Sequence, residues 1–427
     1  MEGVKGDLHI VQARIVHQGH PLNGQLSDML IVDGRIAEMG QKLDSKGARR
    51  IEAKGLCVSI GWMDMRANFR DPGDEHKENL ESGIRAAAAG GFTAVALSPA
   101  TEPIIDNKGA VSYLLSKGRE GILDVYPIGA LSKGMHGKSL SEMYDMYRAG
   151  ALAFGDDKRS LTESGMLQRA LLYTKSFNAR ILHFPFDAGL APNGQMHEGE
   201  FSTRLGLKGI PGIAEEMVVD RDLAILGYTG GKLHLGPLSS AHSVQRIAEA
   251  RSSGMDVSCD VGVAHLAYTD TKIGNFDSQY KLMPPLRDAS NRDALIAALA
   301  EGKIDVISSD HSPADEEEKK LEFDYAAFGT AGIQSFFPLL YTSCGHLLPL
   351  EALVARFSTA PRRLCGIELP QIEIGEEANL TLFSIEEESD FSQQACYSRA
   401  YNFAERQQKL KGKVIGVVKS AYLLGDQ

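Results

Sequence analysis

The sequence predicts an α/β fold: a parallel (β/α)8 barrel of the TIM type, flanked by a small β-sandwich that both chain ends build. Three observations predict it. The middle of the chain alternates short apolar runs with helix-period segments, about eight times over roughly 300 residues. The two ends are rich in short β-type runs broken by Gly and Asp-Gly turns. Polar residues close many of the apolar runs, where a parallel barrel carries its chemistry. A doubly wound sheet is the alternative, but no GxGxxG follows the first strand.

The elements follow in order. "LHIVQARIVHQG", "DMLIVDGRIAEMG" and "RRIEAKGLCVS" read as strands of the sandwich, as do "EIGEEANLTLFSI" and "KGKVIGVVKSAYLLGD" near the other end. The expected boundaries are residues 1–58 plus 370–427 for the sandwich and 59–369 for the barrel. Within the barrel, the run before Asp64 and the runs "TAVALSP", "DVYPIGAL", "GALAFGD", "ARILHFPF", "GKLHLGPL", "DVSCDVG" and "IDVISSD" read as strands. "HKENLESGIRAAAAGG", "ESGMLQRALLYTKSF", "SAHSVQRIAEARSSG" and "NRDALIAALAEG" read as helices between them.

Composition narrows the function classes. The chain has 427 residues, 43% of them hydrophobic, which is ample for a large core. No apolar window is long enough to span a bilayer, and the N-terminal stretch lacks a signal-peptide core. A net charge of −11 disfavours nucleic acid and anionic membranes as partners. Five scattered cysteines without a CxxC read as reduced thiols of a cytoplasmic protein. The acidic run "DEEEKK" at 315–320 reads as a solvated loop. The segments "SPADEEEKKLEF", which contains it, and "LSKGMHGKSL" are candidate mobile lids.

The polar residues at strand ends are Asp64, Arg66, Asn68 and Arg70; Ser98 and Thr101; Asp156 and Asp157; His183, His234 and His265; then Asp310 with His311. Asp and His converging from several strands are the raw material of a metal site. Singly they are weak signals. His234 sits among apolar neighbours and reads as a core or supporting histidine, while His183 is open between the two roles. Asp156-Asp157 could equally cap the helix that follows. Asp310 closes a buried strand, so its charge needs a partner or a role.

Seven landmarks in order resemble the class I dihydroorotases of the cyclic amidohydrolase superfamily. "FRDPGDEHKENLESGIRAAAAGGFTAV" is similar to the family's "xRxPGxxxKExxxxGxxAAxAGGxT", and "SPATEPIID" to "MPNTxPxxD". "AFGDDK" resembles "AFxDDG", "MPPLR" resembles "NPPLR", and "SSDHSPA" resembles "TDHAPH". "HLGPLSS" stands at "HxxHxST", and "GKVIGVVKSAYLLGD" fits the closing sandwich strands.

The resemblance implies reversible cyclisation of N-carbamoyl-aspartate to dihydroorotate, with a hydroxide made at a one- or two-metal centre. It also implies a homodimer. Carried over residue by residue, three metal-ligand positions are kept: Asp157, His183 and Asp310, the last also the family's proton shuttle. Three are lost, to Arg66, Asn68 and Pro237. Of the substrate contacts Arg70 is kept, and Ala100, Met283 and Ala314 stand where the family has Asn, Asn and His.

Arginine has donors but no lone pair for a metal. Asp157, His183 and Asp310 alone could hold one ion, yet Arg66 would repel it. A metal lowers the pKa of water from about 15.7 to about 7, worth about 12 kcal/mol of hydroxide activation. No residue obviously replaces that. Two uncompensated carboxylates about 4 Å apart cost about 4 kcal/mol at an effective dielectric of about 20. Arg66 is therefore expected to stand in for the metal, paired with Asp310 or Asp157; the alternative is that it reaches solvent.

The leading expectation is a non-catalytic dihydroorotase homologue with no cofactor, acting as structural partner of aspartate transcarbamoylase, a role the resemblance implies. The alternative is an active dihydroorotase or related cyclic amidohydrolase with a reduced zinc site. A third is a small-ligand binding protein that uses Arg70 for a carboxylate.

Overall fold

The computed structural model describes residues 4–425, except 46 and 120–122. Eight barrel strands are seen among the described residues. They are β1 (Trp62–Ala67), β2 (Phe92–Leu97), β3 (Asp124–Gly129), β4 (Ala153–Phe154), β5 (Arg180–His183), β6 (Lys232–Leu238), β7 (Val257–Gly262) and β8 (Val306–Ser308). They pair in parallel and in chain order, and a parallel bridge between Ala67 and His311 brings β8 back to β1. Most are buried along their whole length, as continuous apolar runs in a parallel sheet require.

Local chemistry places the connecting helices. Helix α1 (Leu80–Ala89) starts at Asn79, whose side chain accepts the Ser82 N–H at 2.8 Å while Ser82 Oγ accepts the Asn79 N–H. It ends at the Gly90-Gly91 pair. Gly91 has φ +92°, and a Cβ there would meet the Trp62 ring at 2.5 Å, so only glycine fits. The runs read as helices at 163–177, 240–254 and 291–302 form α2 (Ser164–Thr174), α3 (Ala241–Ser252) and α4 (Ala289–Ala300).

The two chain ends interleave in one sheet. Its main path runs Val4–Lys5, Tyr422–Leu424, Lys409–Lys419, Asn379–Asp390, Leu56–Ile60, Leu8–Ile15, Leu26–Val32, Arg35–Gly40, and Arg49–Ile51 pairs with Leu8–Ile15. A single residue, Gly61, joins this sheet to β1. Residues 391–408 leave the sheet and reach the barrel, where Asn402 Oδ1 accepts the Ala314 N–H at 2.8 Å and Tyr268 donates to Glu405 at 2.9 Å.

Both candidate lids are folded against the body. "LSKGMHGKSL" closes on itself through a Ser132–Leu140 bridge. "DEEEKK" departs from the solvated loop expected of it. It forms a helical turn, Glu316–Lys319, whose Lys319 is 2% exposed and donates to the carbonyls of Ala327 (2.8 Å) and Gly329 (3.1 Å). Its block of charges hid a buried cation. None of the five cysteines is paired, and among the described residues no helix is long and apolar enough to cross a membrane.

Candidate functional site

Arg66 points into the barrel from β1 and is almost fully buried. Its partner is Asp260 of β7, bound through Nε (3.2 Å) and Nη2 (3.0 Å), and not the expected Asp310 or Asp157. Asp310 and Asp157 act on Arg66 only through their charge. Burial lowers the Arg66 pKa, and Asp260 outweighs this, so the guanidinium is held above its ordinary range. Burial likewise raises the Asp260 carboxyl, but Arg66 and His234 reverse it and hold it well below the usual carboxylate range. Gly236 makes room: a Cβ there would meet Asp260 Oδ1 at 2.0 Å.

Asp260 is fully engaged. His234 Nε2 lies 3.0 Å from Oδ1, and Ser308 Oγ donates to Oδ2 at 2.6 Å. His234 Nδ1 pairs with Ser258 Oγ at 2.8 Å. His234 is thus a fully buried supporting residue, as its apolar neighbours suggested.

A second cation enters from Lys158. Its Nζ lies 2.7 Å from Asp310 Oδ2. Burial raises the Asp310 carboxyl, with Lys158 and then Arg66 opposing, and the net shift is upward. Asp64, fully buried, is pushed up to about 7 by burial, against hydrogen bonds from the Ser309 hydroxyl and N–H. Arg70, Asp157 and Asp310 have φ between +50° and +59°. Such backbone is costly for non-glycine residues and persists where surroundings enforce it.

The remaining candidates have settled partners. His183 Nδ1 lies 2.5 Å from Asp222 Oδ2, and Nε2 accepts the Leu161 N–H at 2.9 Å. Asn68 donates to Ala100 O (3.1 Å) and accepts the Arg70 N–H (2.8 Å). Arg70 donates to Pro313 O (3.1 Å) and Ser312 Oγ (3.2 Å), so its guanidinium ties down the loop after β8. Asp156 binds the Ser132 N–H and hydroxyl rather than capping α2. Ser98 accepts the Ala100 N–H, and Thr101 donates to Pro103 O. His265 donates to Pro284 O at 2.9 Å and is held down to about 4 by burial, hence neutral. His311 packs edge-on to Phe69 beside Glu78. Met283 lies against the cluster of Ala191, Ile210 and Ala214, and Pro237 is buried in β6.

As placed, these side chains are engaged with other partners and do not converge on a common metal position. The Nε2 lone pair of His183 is taken by a backbone N–H, Asp310 faces an ammonium, and position 66 brings a guanidinium. Asn68 spends both ends of its amide, and Pro237 has no ligating atom. Among the described residues, no group of three or more His, Cys, Asp or Glu is placed to hold a metal. The cavity at Arg66, Ser98, Pro99, Gly155, Asp157 and Leu182 measures about 10 Å³. That is room for about one water and not for an organic substrate.

Asp260, Lys158 and Asp222 escaped the sequence reading. Asp260 lay in the strand "DVSCDVG", whose second Asp interrupts an apolar run and was a usable signal. Lys158 stood in "AFGDDK" where the resembled motif has Gly. Asp222, inside the helix Ile213–Thr229, carried no local mark.

A family model described as "Dihydro-orotase-like" matches residues 56–243. A dihydroorotase from Pelotomaculum thermopropionicum is 39% identical over 397 residues, covering 92% of this chain and 93% of its own. One from Ruminiclostridium cellulolyticum is 40% identical over 383 residues, covering 88% and 89%. Among solved structures, the L-hydantoinase (dihydropyrimidinase) of Arthrobacter aurescens superposes with a TM-score of 0.85 at 21% identity, covering 99% of this chain and 96% of that one. That likeness speaks for the fold.

Proposed function

Since the chain belongs to the dihydroorotase-like family of the cyclic amidohydrolase superfamily, we propose that it serves pyrimidine biosynthesis as a metal-free, non-catalytic partner of aspartate transcarbamoylase. The observation that carries this is the bidentate Arg66–Asp260 pair inside the barrel. With Lys158 on Asp310, it puts two fixed positive charges among the carboxylates of the centre. They match the charge of one divalent ion but generate no hydroxide. Arg70, the retained substrate-binding position, is spent on the loop after β8.

A second reading has its own support. The relatives at 39–40% identity over most of the chain are named dihydroorotase, which favours an active dihydroorotase or related cyclic amidohydrolase with a reduced zinc site. Its residues would be Asp157, His183, Asp310 and Arg70.

Protein purified without chelator separates the two. The first reading expects no ring opening of dihydroorotate in micromolar zinc, no zinc retained on dialysis, and a stable complex with aspartate transcarbamoylase. About one tightly held zinc per chain, with ring opening lost in Asp310→Asn, establishes the second reading instead. Failure to form that complex at micromolar concentration removes the partner role.

A further inference from the structure

The sheet built from the chain ends carries a groove of about 520 Å³, far from the barrel centre in sequence and built from other residues. That volume lies in the range of small-molecule sites, roughly 300–1,000 Å³. Arg14 lines it. Its backbone pairs with Leu26 on one neighbouring strand and Cys57 on the other. Leu56 and Ile385 complete the apolar lining, and Glu52 and Glu386 stand at the groove.

Two features single out Arg14. Its Nε is buried and has no hydrogen-bond partner among the described residues. The nearby carboxylates are directed elsewhere: Glu52 takes Arg50 Nε at 2.9 Å, and Glu386 lies 3.4 Å from Lys54 Nζ. Arg14 itself is half-buried, but one of its N–H donors is left dry and unpaired, and an anion seated on the guanidinium removes that cost. The surroundings also shape the anion. Leu26, 52% exposed, and Ile385 offer apolar area that water covers poorly. Glu52 and Glu386 repel negative charge, so the groove tolerates a single anionic group, the one that pairs with Arg14.

We propose that this groove binds a small amphipathic monocarboxylate, with its carboxylate on Arg14 and its apolar body against Leu26, Leu56 and Ile385. The apolar lining contributes area, and the guanidinium fixes the head group through paired N–H donors. This site is independent of whether the barrel is catalytic.

Octanoate titrated into the full chain, followed by methyl NMR, tests it. The expected result is saturable binding that shifts the Leu26 and Ile385 methyls, with octan-1-ol binding at least about tenfold more weakly. Arg14→Met should weaken octanoate by a similar factor. Leu26→Glu, at an exposed position that leaves the core untouched, should abolish it by adding a negative charge. Absence of saturable octanoate binding overturns the proposal, as does equal affinity for octanoate in wild type and both variants.

Discussion

Arg66 enters a space where Asp260, Asp310 and Asp157 all feel its charge, and its removal would leave Asp260 as a buried, uncompensated anion. Breaking a buried ion pair from one side costs about 3–5 kcal/mol, because the stranded charge keeps its desolvation penalty. Arg66→Met is therefore expected to lose about that much in urea unfolding. The double variant Arg66→Met/Asp260→Asn should regain most of it, since it buries no lone charge and the amide still offers His234 and Ser308 a partner; if both are equally destabilised, the pair is not what Arg66 contributes. The same geometry sets the response to zinc. A ligand at about 100 times its Kd stabilises by about 2.7 kcal/mol. With His183 capped by the Leu161 N–H and Asp310 on Lys158, micromolar zinc should leave the wild-type Tm unchanged. At this scale the sequence was half legible. Losses at 66, 68 and 237 stood out against the family motifs, and a buried arginine among carboxylates follows from charge balance. Which carboxylate it grips depends on how far β7 leans across the barrel and on the absence of a side chain at Gly236. Neither is written in local sequence.

At the scale of single elements, the segment after β8 and Lys281, which donates to its carbonyls, hold the least expected chemistry. Lys281 and Lys319 are 1% and 2% exposed and carry four carbonyl contacts between them: Lys281 with Phe323 (2.5 Å) and Asp324 (3.2 Å), Lys319 with Ala327 and Gly329. Burial lowers Lys281 to about 8, with Asp324 opposing. Burial and then Lys281 lower Lys319 to about 7, with Asp277 and Glu318 opposing. When the segment opens, both lysines regain an ordinary value near 10.4. Below about pH 7 both states hold their protons, and the closed state bears the full cost of burying charge. Between about 7 and 10 the open state binds more protons, so closure strengthens as pH rises. Amide exchange of residues 321–329, corrected for its intrinsic pH dependence, should therefore slow between pH 6.5 and 9. In Lys281→Met/Lys319→Met that pH dependence should vanish. A wild-type profile that is flat, or that reverses, sinks the account. The run that holds Lys319 reads in sequence as a solvated loop, because local sequence does not show a loop folding back over a lysine. The helices, by contrast, were legible from apolar spacing, while the cap at Asn79 came from the structure.

Across the whole molecule, the barrel and the terminal sheet meet at Trp62, the single tryptophan of the chain. Its ring lies 4.9 Å from Phe357, 5.1 Å from Phe337 and 5.3 Å from Phe383, and Nε1 donates to Ser59 at 2.9 Å. Phe383 comes from the sheet strand Asn379–Asp390, where it pairs with Cys57, while Trp62 opens β1. Gly61 leaves no slack between the two bodies: a Cβ there would meet Thr93 and Asn379 at 2.1 Å. The alternation of β and α runs made the barrel predictable, and the β-rich ends made the second sheet predictable. Their junction was not, because aromatic packing between residues some 320 apart leaves no periodic trace. A shared aromatic core argues that the two bodies unfold together. Trp62 fluorescence and far-UV circular dichroism should then give coincident urea transitions. Phe383→Ala, which empties one side of the cluster, should cost about 3–5 kcal/mol and shift both curves alike. A fluorescence transition that moves ahead of the helical signal would instead show the sheet peeling away from an intact barrel.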